Sequence, residues 1–373
     1  MWEILICSGG TTNFSGFRHL PAHSAAALLF VTALTLYLMR PKAKSVSSTA
    51  VMLFVVIWTL VNSILFDFSS SGASEGGLSI DYKIYAVSMY LAISTMSFRN
   101  FREKLLKALT YLSTATLIVW TLHIGLGIGS FGKAPAPTFE IFMDWGERMA
   151  SIYWEPGQYQ IIMTFTLVLF LDELRQINIS RSMHYIKKFG IIVIAMLVCR
   201  STMAYISLMS LMMLSFMFNR SGRKNTILYV FMLIIAATLI LLIFSSDVVQ
   251  EKIDPANLTQ KSSLYIRILD NIALWNMSQV SPLTGLGNGE EYMKYGRIFN
   301  DITSSNGWLA AAARYGWPFL SIIVLCMLLK LRRMKPGIPA LIAFIPLLIS
   351  HCNEHQILYP IMYMYLYSFK TYS

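Results

Sequence analysis

Residues 50–66 read AVMLFVVIWTLVNSILF, and none of the seventeen carries a charge. At 1.5 Å of rise per residue, a helix of this length covers about 25 Å. A membrane crossing takes roughly 17–25 apolar residues to pass about 30 Å of hydrocarbon. A helix that is apolar all round is either enclosed in a core or embedded in lipid. Repetition decides between the two. Similar runs occur at 23–39, 83–98, 108–130, 156–171, 186–199, 203–218, 226–245, 307–329, 337–350 and 356–369. Together they predict an all-α, polytopic membrane bundle of about eleven transmembrane helices, with residues 1–373 as one integral membrane domain.

Composition agrees. Charged residues make up 13% of the chain and hydrophobic ones 55%, against about 25% charged in soluble domains. The mean hydropathy is +0.56. The start, Met1-Trp2-Glu3-Ile4, has no basic n-region, so insertion is expected to be driven by the spans themselves. Cys7, Cys199, Cys326 and Cys352 form no CxxC pair and are expected to be small packing residues.

The net charge of +11 would suggest a nucleic-acid partner if it were spread over one surface. Its placement says otherwise. Every second connection (40–49, 99–107, 172–188, 219–225, 330–336 and the C-terminal tail) falls on one side of the alternating chain. This set holds 19 of the 30 Lys and Arg but only 3 of the 19 Asp and Glu. Such alternation is the positive-inside pattern, and it makes this set cytoplasmic. The N-terminus is then outside and the C-terminus inside. The excess charge is topological, and no nucleic acid is expected.

The outer side carries the longer connections, 131–155 and 246–306. The second is about 60 residues, too long for an idle link in a compact protein. Within it, residues 262–276 read as an amphipathic helix. Tyr265, Ile268, Leu269, Ile272 and Trp275 fall on one face, with Arg267, Asp270 and Asn271 away from it. Such a helix is expected to lie on the membrane surface.

Several spans are short for their task. Lys188 to Arg200 is about 18 Å of helix, and Lys335 to His351 about 24 Å. The run between Glu155 and Asp172 is also about 24 Å. Polar tips recessed below the outer face are costly unless they line a wet cavity. The expectation is an outward-opening cavity lined by Glu155, Arg200 and the tip His351-Cys352-Asn353-Glu354-His355.

Each motif has a bland reading beside the chemical one. In Trp154-Glu155-Pro156-Gly157, the carboxylate can cap a helix whose first turn holds Pro156, or accept a proton from a sugar hydroxyl. In Arg200-Ser201-Thr202, the guanidinium can snorkel to headgroups or clamp phosphate oxygens. Arg267 is either half of an exposed pair with Asp270 or a second phosphate clamp. Pro282-Leu283-Thr284-Gly285-Leu286-Gly287-Asn288-Gly289 is a turn whose amides can also approach an anion. His351-Cys352-Asn353-Glu354-His355 matches H-x-x-E-H, but no acid follows Glu354, so a zinc protease is not expected. His351 and His355 remain as polar cavity wall and proton carriers. No metal site is expected.

The order of these motifs resembles the O-antigen polymerase and O-antigen ligase superfamily of bacterial membrane glycosyltransferases. The resemblance rests on Glu155-Pro156-Gly157, Arg200-Ser201-Thr202-Met203-Ala204, and Arg267 upstream of Pro282-Leu283-Thr284-Gly285-Leu286-Gly287. Ser305-Asn306-Gly307-Trp308-Leu309 and Tyr315-Gly316-Trp317 complete it. It covers residues 100–330 in order, while the first hundred match only in hydropathy. Ligase-like members carry a histidine late in the long outer loop; here Ser304 and Ser305 stand there, and 246–306 contains no histidine.

The resemblance implies a polymerase that joins undecaprenyl-pyrophosphate-linked repeat units at the periplasmic face of the bacterial inner membrane. Its product would be O-antigen, capsule or exopolysaccharide. Arg200 and Arg267 would hold the departing pyrophosphate. Glu155 would act as base, with Glu354, His351 or His355 behind it, and Gly285, Gly287 and Asn306 would bind substrate. The reaction would need no cofactor or metal. Lipid-linked oligosaccharides and membrane lipid are the implied partners, with a chain-length regulator and a flippase beside them. The alternatives are a ligase that moves glycan to lipid A core, and a polysaccharide or solute transporter. Transporters often show paired repeats, and no such duplication is visible.

Overall fold

The computed structural model describes residues 22–39, 46–66, 78–126, 130–131, 134–135, 143–144, 148–149, 156–175, 183–199, 201–218, 234, 238, 241, 263–287, 289–298, 306–334, 338–352 and 366. The expected spans at 226–245 and 356–369 lie outside these, apart from Ile234, Thr238, Leu241 and Leu366. Residues 1–21, with Cys7, lie outside as well.

The described chain is helical apart from two small hairpins. The helices are α1 (Ala22–Met39), α2 (Val46–Phe66), α3 (Leu78–Ser94), α4 (Phe98–Leu126), α5 (Pro156–Leu169) and α6 (Leu171–Arg175). They continue as α7 (Met183–Val198), α8 (Thr202–Met217), α9 (Ser263–Val280) and α10 (Glu290–Ile298). The last are α11 (Gly307–Tyr315), α12 (Trp317–Met334) and α13 (Ala340–Ser350). In the 131–155 region, Ser130–Phe131 pairs with Ala134–Pro135, and Met143–Asp144 with Arg148–Met149, both antiparallel.

The centre is α5. Every residue from Tyr159 to Leu171 is buried, and α4, α7, α8 and α13 pack around it. Two of its polar side chains are bonded inside the bundle: Tyr159 and Ser113 of α4 share a hydrogen bond of 2.6 Å, and Thr166 donates to Ile162 O at 2.8 Å. The periphery is apolar too. On α2, Leu53, Ile57, Leu60, Val61, Ile64 and Leu65 are all exposed. Water does not favour so continuous an apolar surface. By length and composition, Thr49–Phe66 and Phe98–Leu122 are long and apolar enough to cross a membrane, and shorter apolar helices cover Phe30–Met39, Tyr159–Leu169, Thr202–Met217 and Ala340–Ser350.

The shortness read from the sequence is present. α5 has 14 residues and α13 has 11, or about 21 and 17 Å of helix. α7 differs: it starts at Met183 and has 16 residues, about 24 Å, longer than the span read from Lys188 to Arg200.

Three expectations need correction. The run 307–329 is two helices, broken at Gly316 with φ of 84°. The break exists because another segment of chain is wedged into it, as shown below. α4 begins at Phe98, ten residues before the expected span, so its basic first turns are helix rather than connection. The long loop also holds a second helix, α10. With Leu274, Met277, Leu286, Tyr292, Ala310 and Ala313, the segment forms its own small core against α11.

Candidate functional site

The two ends of α5 are chemically different. At its C-terminal end, Arg102 pairs with Glu173 at 2.6 Å and lies over the Phe170 ring at 4.8 Å. Tyr185 donates to Glu103 at 2.7 Å. Burial, then the Glu103 carboxylate, pushes the Tyr185 hydroxyl up to about 12. The starts of α4 and α7 therefore meet the end of α5 here. Arg99, Lys104, Lys107, Lys187 and Lys188 belong to the same two helix starts, making this the basic end.

The N-terminal end of α5 gathers two of the sequence-predicted polar residues, His351 and Asn306, with Arg267 on a helix bonded to Asn306. Gln160 donates through Nε2 to Ser350 O at 2.9 Å, which fixes the start of α5 against the end of α13. Gly307 N donates to His351 O at 3.2 Å, which adds the start of α11. Asn306 caps α11: Oδ1 accepts from Trp308 N at 3.0 Å and Leu309 N at 3.2 Å. Its Nδ2 donates to Asn271 Oδ1 at 2.9 Å. That bond ties α9 into the same place, with Arg267 half-buried one turn before Asn271 and Asp270 buried.

α7 starts at the basic end and runs back along α5. Cys199 and Ser201 join it to α8, which packs against α5 and α13. Glu155, Arg200, Glu354 and His355 lie outside the described residues. Their chain neighbours Pro156, Cys199, Ser201 and Cys352 do not. Ser201 is extended, at φ −98° and ψ 123°, and turns α7 into α8.

His351 is fully buried just past the end of α13. Nδ1 lies 2.8 Å from Leu347 O; a carbonyl only accepts, so the proton sits on Nδ1 and Nε2 is the basic atom. Its ring centroid is 5.4 Å from that of Trp308, whose indole N–H donates to Leu348 O at 2.9 Å. Burial pushes the imidazole down to about 4. At neutral pH it is uncharged, which suits a wall or an acceptor better than a proton donor.

Gly285 and Gly287 are engaged elsewhere. Gly285 N donates to Ser281 O at 2.8 Å, Leu286 N to Ala313 O at 2.9 Å and Gly287 N to Arg314 O at 3.0 Å. Trp317 N answers to Pro282 O at 2.8 Å. The glycine-rich turn thus caps α11 from the side and fills the break before α12. A Cβ on Gly285 would sit 2.3 Å from Arg314 C and O, and one on Gly316 would sit 2.3 Å from Leu283 O. Both glycines have positive φ, 72° and 84°. Their amides hold protein carbonyls in place of the anion expected from the sequence. From α2, Asn62 Nδ2 donates to Thr284 O at 2.7 Å and Arg314 O at 3.2 Å. Trp58 donates to Tyr315 O at 3.0 Å.

Sequence reasoning passed over Gln160. It is fully buried, and among the described residues its Oε1 has no hydrogen-bond partner. Its signal was an amide within an apolar run one turn after Glu155-Pro156. The helix expected at 262–276 is present as α9, and its apolar stripe faces out of the bundle. Ile268, Ile272 and Trp275 are about half exposed, while Asp270, Ala273, Leu274, Met277 and Ser278 are buried. Among the described residues, no three His, Cys, Asp or Glu are grouped to hold a metal ion. No protein-family model, curated protein or solved structure matches this chain.

Proposed function

We propose that this chain is a polytopic bacterial inner-membrane glycosyltransferase of about eleven spans, with the basic end of α5 cytoplasmic and the polar end periplasmic. It polymerises undecaprenyl-pyrophosphate-linked oligosaccharide repeat units into a surface polysaccharide. One observation carries the proposal. Gln160, Asn306 and His351 converge at one end of α5, beside the folded long loop and opposite the basic end. Several short helices stop there, which supports reading this end as the recessed polar chamber that polar tips below the outer face call for.

The chemistry assigned to this end needs two elements. Positive charge must accept the departing pyrophosphate, and Arg200 and Arg267 take that role. A base must relieve the acceptor hydroxyl of its proton as the glycosidic bond forms. Glu155, the residue before Pro156 in the chain, takes it. His351, neutral and buried, and Asn306 shape the wall. The exposed apolar stripe of α9 rests on the lipid, where the tails of both substrates lie.

The test uses the purified full-length protein with lipid-linked repeat units. The expected result is a ladder of polymer. Arg200→Ala and Arg267→Ala are expected to abolish long products while protein levels persist. Transfer to a lipid A core acceptor without polymer would assign a ligase, and movement of substrate without new bonds would assign a carrier. Normal ladders from both arginine variants would remove the phosphate-clamp role.

A further inference from the structure

α4 and α7 enclose a groove of about 310 Å³ lined by Thr114, Leu117, Ile118, Thr121, Leu122 and Ile191. Its hydroxyls are spent inside α4: Thr114 donates to Thr110 O and Thr121 to Leu117 O, both at 2.8 Å. What remains is hydrocarbon wall, open to the outside of the bundle.

The groove has a charged foot. On α4, Lys107, Tyr111, Thr114, Ile118 and Thr121 follow one another at i, i+4, i+7, i+11 and i+14 and so share one face. Lys107, Tyr111, Ile118 and Thr121 are exposed along it. Lys107 Nζ already leans toward the groove, 5.8 Å from the Tyr111 ring centre. On α7, Lys187, Ile191 and Ile194 repeat the pattern at i, i+4 and i+7, again exposed at Lys187 and Ile194. The two helices start at the same end, pinned by Tyr185 and Glu103. Their lysines therefore flank one mouth.

The nearby acids do not cancel this charge. Glu173 pairs with Arg102. Glu103, which accepts from the neutral Tyr185 hydroxyl, and Asp172 keep their charges but face Arg99, Lys104, Lys107, Lys187 and Lys188 on the same two helix starts. From Lys107 to Ile118 is about 16 Å of helix, close to one leaflet's share of about 30 Å of hydrocarbon. A basic foot beneath an apolar groove between two helices is complementary to an anionic lipid of the cytoplasmic leaflet.

We propose that α4 and α7 hold an anionic glycerophospholipid, its phosphate between Lys107 and Lys187 and one acyl chain in the Thr114–Ile118–Ile191 groove. The site rests on the proposed membrane orientation. Its lysine foot lies at the opposite end of α5 from Gln160 and His351, while its apolar wall reaches the level of Tyr159, bonded to Ser113. The headgroup is therefore remote from the proposed chemistry, and the lipid is bound and held rather than consumed.

The full chain, purified in a neutral detergent, is titrated with phosphatidylglycerol or phosphatidylcholine of identical acyl chains, and retained lipid is counted by native mass spectrometry. Phosphatidylglycerol is expected to be retained about tenfold better. The double variant Lys107→Gln/Lys187→Gln is expected to erase that preference. Ile118→Trp keeps both charges but fills the groove, and is expected to release the lipid as well. Soluble glycerophosphoglycerol is expected not to compete, because it lacks the chain. Equal retention of the two lipids, retention unchanged in both variants, or full competition by the soluble headgroup would overturn the site. Alkaline carbonate extraction of native membranes separates this outcome from failure of the membrane reading. Protein that stays in the pellet but shows no lipid preference sinks the site alone, whereas protein released to the supernatant sinks both.

Discussion

His351 shows how much one side chain depends on its surroundings. In the sequence it is one of two histidines in a polar tip, a natural proton carrier. In the fold it is enclosed beneath Trp308 with its proton on Nδ1, and burial depresses its basicity to about 4. The unfolded chain returns it to about 6.5. Between these values the unfolded state binds a proton that the folded state refuses, so stability must rise with pH across that window. Wild-type protein is expected to hold full stability above pH about 6.5 and to lose on the order of 3 kcal/mol as pH falls toward 4. Melting curves of wild type and His351→Gln, taken in detergent at pH 4–7, check this. The variant is expected to show a flatter profile, and parallel profiles would place the acid sensitivity elsewhere.

At the scale of elements, the joint between α11 and α12 governs the polar end. The turn at 281–287 was legible as a turn from its glycines and proline. Its partner was not, because Gly285 is left-handed for the sake of Arg314, roughly thirty residues on. Likewise Gly316 looks like an ordinary glycine in an apolar run until Leu283 O is seen where its Cβ would be. Local pattern reports what a residue tolerates, not what approaches it. Gly285→Ala and Gly316→Ala each meet both a backbone collision and a positive φ, and are each expected to cost more than about 2 kcal/mol. Thermal unfolding in detergent reads the loss. Gly190, around whose would-be Cβ nothing lies within 4 Å, provides the control: Gly190→Ala is expected to leave the midpoint unchanged or raise it.

At the scale of the molecule, helix ends were legible where apolar run and helix coincide, as in α1, α8 and the C-terminal part of α2. They were not legible where a polar stretch continues a helix, as in Arg99 to Lys107 at the start of α4. The convergence of Gln160, His351 and Asn306 was legible only in outline, from short spans whose tips face one way. Gln160 itself was hidden by its apolar neighbours. Charge sorting gives a sidedness that labelling can check. In a cysteine-free background, single cysteines at Lys104 and Arg333 are expected to resist a membrane-impermeant maleimide in intact cells. One at Pro135, in the first hairpin, is expected to react. Reversal of that pattern would invert the bundle.

The bonds from α2 to the joint also set an order of events during synthesis. Trp58 and Asn62 find their acceptors 257, 222 and 252 residues later in the chain. When α2 leaves the ribosome, those acceptors have not been made. α2 is apolar enough to enter a bilayer alone, but it carries into it an amide and an indole without their native partners. Most of the protein must be translated before they are met. The bundle therefore closes late, and α2, although made early, is among the last of the described helices to be locked. The same contact that braces the joint between α11 and α12 also reports that the chain has been read past Tyr315.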